Sequence, residues 1–408
     1  MRFFYSLILA VCCITPCLAL EPALRPGDRV TLVGGTFVER MQIHGHFEAE
    51  IRSRLDGDIQ FRNLGWAGDN VLGESRAVFG TIEKGMERLL RDLQLTRPTV
   101  IVICYGSNEA HAGEAGLDAF SKNLASLVTK LEPLNTRFIF VAPRPYENLG
   151  SPLPNPERFN TNLTRYSTVI KQLAHDSDAH FIDLARLDPV VTRDPLQSSS
   201  EEGPWILEEH TGLTSNGLHL TSYGYWRLAS SFADALGLAK AKVIIAPQGD
   251  SEGVSGLTLE HEGETIRLQG RFQQLHLPPI PNTLGNAPIQ ATLKIRDLAQ
   301  KRYQVKAGDK SLGVATNKEL KDGFQITIPT NPTTIFNFRD SIIEKNMLFF
   351  HRHRPQNETY LFLFRKHEQG NNAGEVTQFD ELVEKHDRLI YEYSNSRDFS
   401  FTITPVKK

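Results

Sequence analysis

The sequence predicts an α/β fold, a three-layer α/β/α sandwich around a mostly parallel sheet, followed by a C-terminal β-rich domain. Three observations predict it. Short apolar runs alternate with helix-periodic segments from Arg29 to Leu238. Beyond Lys240 that alternation gives way to extended segments separated by Pro, Gly and Asn. The 408 residues also exceed the roughly 250 that a single core usually organises.

The runs Val30–Val33, Ile59–Asn63, Val100–Cys104, Arg137–Val141 and His180–Leu184 are bounded by polar or turn residues and read as strands. Between them, His44–Leu55, Ile82–Leu95, Leu117–Leu131, Asn160–Asp176 and Thr221–Leu236 repeat apolar residues at three- and four-residue spacing, the mark of a helix with one buried face. Strand, helix, strand in this order implies right-handed crossovers and a sheet covered on both faces. Ligands of such sheets meet the loops at the carboxyl ends of the strands. Chemistry is therefore expected just after Val33, Asn63, Tyr105 and Val141, and in the loop before the last helix. Ala185–Thr214, with its prolines and Ser198-Ser199-Ser200, reads as a long surface loop near that edge.

In the C-terminal part, Leu257–Leu268, Ile289–Ile295, Lys301–Val305, Gly323–Ile328 and Asn357–Arg365 read as extended segments. Phe349–Pro355 reads as a strand with His351 and His353 on one face, a polar face in preference to a zinc site for want of a third ligand. Glu375–Tyr393 reads as a helix interrupting the sheet, Phe399–Ile403 as its last strand, and Pro278–Asn286 as an external loop. The expected division is a signal peptide over 1–19, an α/β domain over 28–239 and the β-rich domain over 240–408.

Composition narrows the function. With 40% hydrophobic and 23% charged residues, close to globular averages of about 45–50% and 25%, neither disorder nor a fibrous repeat is indicated. A net charge of -3 with mixed signs leaves no broad cationic face for nucleic acid or anionic lipid. Arg2, the apolar run Phe3–Leu20, and the small residues Cys17 and Ala19 form an export signal, with cleavage expected after Ala19. The mature chain is then expected in the periplasm or outside the cell, without a membrane span. Cys12, Cys13 and Cys17 lie in that segment, so Cys104 alone would remain. It sits in an apolar strand, as a core residue and not a nucleophile.

Four motifs stand where chemistry is expected: Gly34-Gly35-Thr36-Phe37, Asn63-Leu64-Gly65-Trp66-Ala67-Gly68-Asp69, Gly106-Ser107-Asn108-Glu109 and Asn216-Gly217-Leu218-His219. In order, strand context and spacing they resemble the SGNH/GDSL hydrolase family over residues 28–238. The resemblance implies an ester hydrolase, of carbohydrate or short-chain O-acyl type, that requires neither cofactor nor metal. It assigns His219 as general base, Asn108 as oxyanion-hole side-chain donor and Gly68 as the glycine whose backbone N–H joins it. Two positions depart from the family pattern. Thr36 stands at the nucleophilic serine, preceded by Gly35 in place of aspartate, and Asn216 stands at the triad acid. Threonine keeps a hydroxyl but crowds attack with its methyl, while asparagine holds an imidazole without supporting its positive charge. Asp69, Glu109, Glu114 and Asp183 are candidates to replace the missing acid. Two functions stay open: an esterase using Thr36 or a water activated by His219, and a pseudoenzyme that binds a sugar or acyl-sugar in the same pocket. Arg144, after Val141-Ala142-Pro143, is a candidate clamp for a carboxylate or sugar hydroxyls, and Glu39-Arg40, His44 and His46 are candidates for the pocket rim.

Overall fold

The computed structural model describes residues 23–187, 212–277 and 288–406. The segment read as an export signal, most of Ala185–Thr214, and Pro278–Asn286, read as an external loop, lie outside them.

The N-terminal part runs β1 (Arg29–Gly34), α1 (Thr36–His44), α2 (His46–Arg54), β2 (Gln60–Asn63), α3 (Ile82–Thr96), β3 (Val100–Cys104), α4 (Leu117–Leu131), β4 (Arg137–Ala142), α5 (Glu157–Asp176), β5 (His180–Asp183), α6 (Leu184–Leu187) and α7 (Ser222–Ala235). Its five strands form one parallel sheet in the order β2-β1-β3-β4-β5. Alternation along each strand divides two apolar layers. Val100, Val102 and Cys104 pack with Met41, Phe47, Ile51 and Phe232 of α1, α2 and α7. Ile101 and Ile103 pack with Leu89, Leu93, Phe120 and Leu163 of α3, α4 and α5. This is the expected three-layer sandwich, and every expected strand is present within a residue or two.

The helix expected over His44–Leu55 is present as α2, and ahead of it stands α1, which the sequence reading did not include. The two are separated at Gly45, which takes φ 68° and donates its N–H to Met41 O (3.0 Å). A side chain there would press on Ile342 and Ile343 of a later helix at 3.1–3.3 Å. Thr36 is the first residue of α1.

The C-terminal part runs β6 (Ile244–Ile245), β7 (Val254–Glu262), β8 (Thr265–Phe272), β9 (Ile289–Leu293), β10 (Arg302–Ala307), β11 (Lys310–Thr316), α8 (Asn317–Asp322), β12 (Phe324–Ile328), α9 (Pro332–His353), α10 (Glu358–Leu361), α11 (Lys366–Gln369), α12 (Phe379–Asn395) and β13 (Asp398–Pro405). An antiparallel sheet, β11-β10-β13-β8-β7, and a smaller one, β12-β9-β6, close on one apolar core. The segments Phe349–Pro355 and Asn357–Arg365, read from sequence as extended, are instead the end of α9 and the helical turns around α10. His351 and His353 therefore do not share a strand face. His353 is buried, its ring bonded to Phe349 O one turn back (2.9 Å).

Helices α9 and α12 leave the β sheets and pack on the α/β layer. They cover the exposed edge at β2, which would otherwise offer unpaired backbone to other chains. Phe338, Ile342 and Ile390 meet Ala49 of α2. Around them lies a buried ionic network: Lys345 Nζ reaches Glu48 Oε1 (2.5 Å), Arg52 bonds the same carboxylate (2.8 Å), and Arg62 reaches Asp387 (2.6 Å). At the end of α9, Arg354 lies over the Trp66 ring (3.7 Å to centroid) and pairs with Glu39 of α1 (2.7 Å). The C-terminal region thus grips the turn that carries Thr36.

Burial holds the His353 pKa down to about 3, with Arg76, Arg88 and Arg354 adding repulsion. The unfolded chain takes up this proton near pH 6.5, whereas the folded chain refuses it until about pH 3, so stability falls as pH drops through that window. At pH 5 the loss from this group is about 2 kcal/mol at 1.36 kcal/mol per unit. Urea midpoints are expected to fall between pH 7 and 5 in the wild type, and less in His353→Gln.

Candidate active site

The carboxyl ends of β1, β2, β3 and β4 and the loop before α7 meet around a small cleft, ≈ 60 Å³, lined among others by Thr36, Arg40, Asp69, Ser107, Asn108, Arg144 and His219. Thr36, Asn108 and His219, distant in sequence, therefore share one cavity.

Three loops are tied together here. Gly68 donates its N–H to Thr36 Oγ1 (3.1 Å), joining the second block to the first. Asn108 donates through Nδ2 to Asp69 O (2.7 Å), joining the third to the second. The same Nδ2 lies 3.9 Å from the Cβ position of Gly35, while Asp69 O lies 3.3 Å from it. A Cβ at residue 35 would sit tightly against Asp69 O, so the second loop would have to give slightly. Thr36 opens α1, so the helix's partial positive charge sits at its hydroxyl.

The second loop is anchored from beneath. Asp69 Oδ2 accepts from Arg76 Nε (2.6 Å) and from Tyr105 OH (2.8 Å), and both charged side chains are 0% exposed. Arg76 also donates to Leu64 O (2.7 Å). Glu109 accepts from Val71 N and Gly106 N (2.9 Å each), and burial raises its pKa.

The fourth loop is set by Thr214 and Glu147. Thr214 donates to Glu147 Oε2 (2.6 Å) and accepts from Gly217 N (3.0 Å). Gly217 takes φ 84°, and a Cβ on it would lie 2.7 Å from Glu147 O, so the turn admits only glycine. Asn216 Oδ1 accepts from His219 N (2.8 Å) and Leu218 N (3.2 Å). Those two N–H groups fix the amide's orientation, because a flipped amide would set donor against donor. Asn216 Nδ2 then faces His219 Nδ1 at 3.3 Å. An amide nitrogen can only donate, so Nδ1 must accept and the ring proton resides on Nε2. An aspartate would impose the opposite tautomer.

None of the four candidate replacement acids reaches the imidazole. Asp69 and Glu109 are engaged as above, Glu114 pairs with Arg165 (3.0 Å), and Asp183 caps Ala185 N (3.1 Å) and pairs with Arg186 (3.4 Å). Burial and then Arg40 lower the His219 pKa, so the ring is neutral at pH 7. Of the rim candidates, Arg40 lines the cleft, His44 stacks on Tyr225 (4.9 Å between centroids), and His46 is buried against Ser222 Oγ (3.0 Å). Arg144 is buried and lines the cleft, not a solvated loop. Sequence reasoning missed Glu147, whose role depends on a contact across the fold, and Tyr225, whose OH donates to Phe37 O (2.8 Å).

Residues 40–227 match the GDSL-like lipase/acylhydrolase family. The chain carries a GDSL-like lipase/acylhydrolase domain. Among solved structures, a gut microbial diltiazem-metabolizing enzyme is similar at TM-score 0.63 and 13% identity, over 95% of this chain and 99% of that one. The GDSL-like domain and the C-terminal region thus share an overall fold with one existing chain. An acetylxylan esterase from Geobacillus stearothermophilus is similar at 17% identity and TM-score 0.37, over 53% of this chain and 97% of that one. An alpha/beta hydrolase from the metagenome of Lake Arreo, Spain, is similar at 14% identity and TM-score 0.38, over 54% and 100%. No curated protein matches the sequence. No described helix is long and apolar enough to cross a membrane.

Proposed function

We propose that this chain is an exported hydrolase of short-chain O-acyl esters, carried on carbohydrate or similar alcohols, with Thr36 as nucleophile. The observation that carries the reading is the Gly68 N–H held on Thr36 Oγ1 (3.1 Å) in the cleft that also contains Asn108 and His219. Thr36 Oγ attacks the ester carbonyl and gives its proton to His219 Nε2, while the carbonyl electrons move onto oxygen beside Gly68 N–H and Asn108 Nδ2. The intermediate collapses to an acyl-Thr36 ester, and the departing alkoxide takes the proton from His219. Water repeats the sequence, releasing the acid and restoring the hydroxyl. The small cleft suits a short acyl group. Export rests on Arg2 and the apolar run Phe3–Leu20.

The first step needs a bare Nε2, and Asn216 favours the tautomer that protonates it. Turnover is therefore expected to be slow. That same observation favours a second reading, in which the cleft binds an acyl-sugar without cleaving it.

Hydrolysis of aryl acetates and acetylated sugars by the mature chain, beside Thr36→Ala and His219→Ala, separates the two. The esterase reading expects a measurable wild-type rate that drops at least about a hundredfold in either variant. Equal rates in all three chains refute it. The lowered His219 pKa adds that the rate stays level as pH falls through 6.5 and declines only below, once the imidazole protonates.

A further inference from the structure

The acids near the cleft are engaged elsewhere: Asp69 bonds Arg76 and Tyr105, Glu109 accepts from two backbone amides, and Glu39, beside the cleft, pairs with Arg354 (2.7 Å). Arg40 lines the same cleft on α1, one helical turn beyond Thr36 and on the same face. Among the described residues no acid pairs with it, and its buried Nε has no hydrogen-bond partner. Its charge is felt at His219 and Tyr225, which line the cleft, and at His44, which stacks on Tyr225. Arg40 is half-buried, and its buried Nε–H is a donor that an acceptor on a bound ligand would complete.

Resting on the reading of this pocket as an ester or acyl-sugar site, we propose that Arg40 binds a carboxylate of the substrate, so that the natural ligand is an anionic ester. A planar carboxylate matches one guanidinium fork through two parallel hydrogen bonds. The placement of Arg40 one turn from Thr36 sets that carboxylate a few bonds from the scissile ester. Uronic acids bearing O-acyl groups have this form, as do acylated hydroxy acids. Arg40 is then a specificity-determining residue that touches substrate away from the reacting carbonyl.

The test uses the full mature chain carrying Thr36→Ala, so that binding is read without turnover. Calorimetry compares 4-acetoxybutanoate with its neutral isostere 4-acetoxybutanamide. The carboxylate is expected to bind at least about tenfold more tightly, and adding Arg40→Gln is expected to erase that preference. Equal affinities, no binding of either probe, or a preference that survives Arg40→Gln in a chain with unchanged circular dichroism would each overturn the inference. The comparison of the two probes needs no change at Arg40 and so stands even if Arg40→Gln does not fold. Hydrolysis is read separately with Thr36 intact. A chain that prefers the carboxylate through Arg40 yet cleaves neither probe refutes the esterase reading and supports this one.

Discussion

Asn216→Asp is expected to raise kcat toward aryl acetates at pH 8 by a hundredfold or more, with a ceiling of ~10⁴ set by the reverse change in a serine-protease triad. The geometry for the gain is already built. One oxygen of residue 216 would keep the N–H groups of His219 and Leu218, and the other would replace Nδ2 at 3.3 Å from His219 Nδ1. Nδ1 would then hold the proton, Nε2 would be free to accept from Thr36, and the imidazolium formed during attack would face a carboxylate. The expected change is in kcat, with KM nearly constant, because the substitution touches no part of the cleft that holds substrate. A rate unchanged from wild type, in a variant of equal stability, would mean that the tautomer does not limit this enzyme.

Arg76→Met is expected to destabilise the chain by about 3–5 kcal/mol, the loss typical when one member of a buried ion pair is removed. The Asp69 carboxylate would stay 0% exposed with only the Tyr105 hydroxyl for company. The consequence reaches the site, since Asp69 O holds Asn108 and the same loop presents Gly68. Adding Asp69→Asn to Arg76→Met removes the stranded charge and is expected to restore part of the stability, though not the activity. Urea unfolding of the two variants measures this, and a double variant no more stable than the single one would contradict it.

The parallel sheet was legible because its strands are buried on both faces and so read as unbroken apolar runs such as Val100–Cys104. The motif residues were legible because they stand at strand ends, where the crossover rule places ligands. Helix α1 was not, since it buries only Val38, Met41 and Gln42 and follows β1 with no cap residue to announce it. Helix α9 was misread over its last turn because Phe349-Phe350 is followed by four basic residues, His351 to Arg354, with no apolar residue at helical spacing among them, while its burial comes from two sides, the β2 edge and α12. The direction of the Asn216 amide lies beyond any sequence pattern, because two backbone N–H groups decide it. Glu147, far away in sequence, shapes the same turn, so its role appears only once the loops are brought together.

The most direct test of the account is the site of covalent labelling by an aryl-ester-mimicking fluorophosphonate, located by peptide mass spectrometry in the wild type, in Asn216→Asp and in His219→Ala. The account predicts a phosphonylated Thr36, formed slowly in the wild type, faster in Asn216→Asp and not in His219→Ala. An unlabelled Thr36 in the wild type and in Asn216→Asp alike, or a label that persists unchanged without His219, would contradict it.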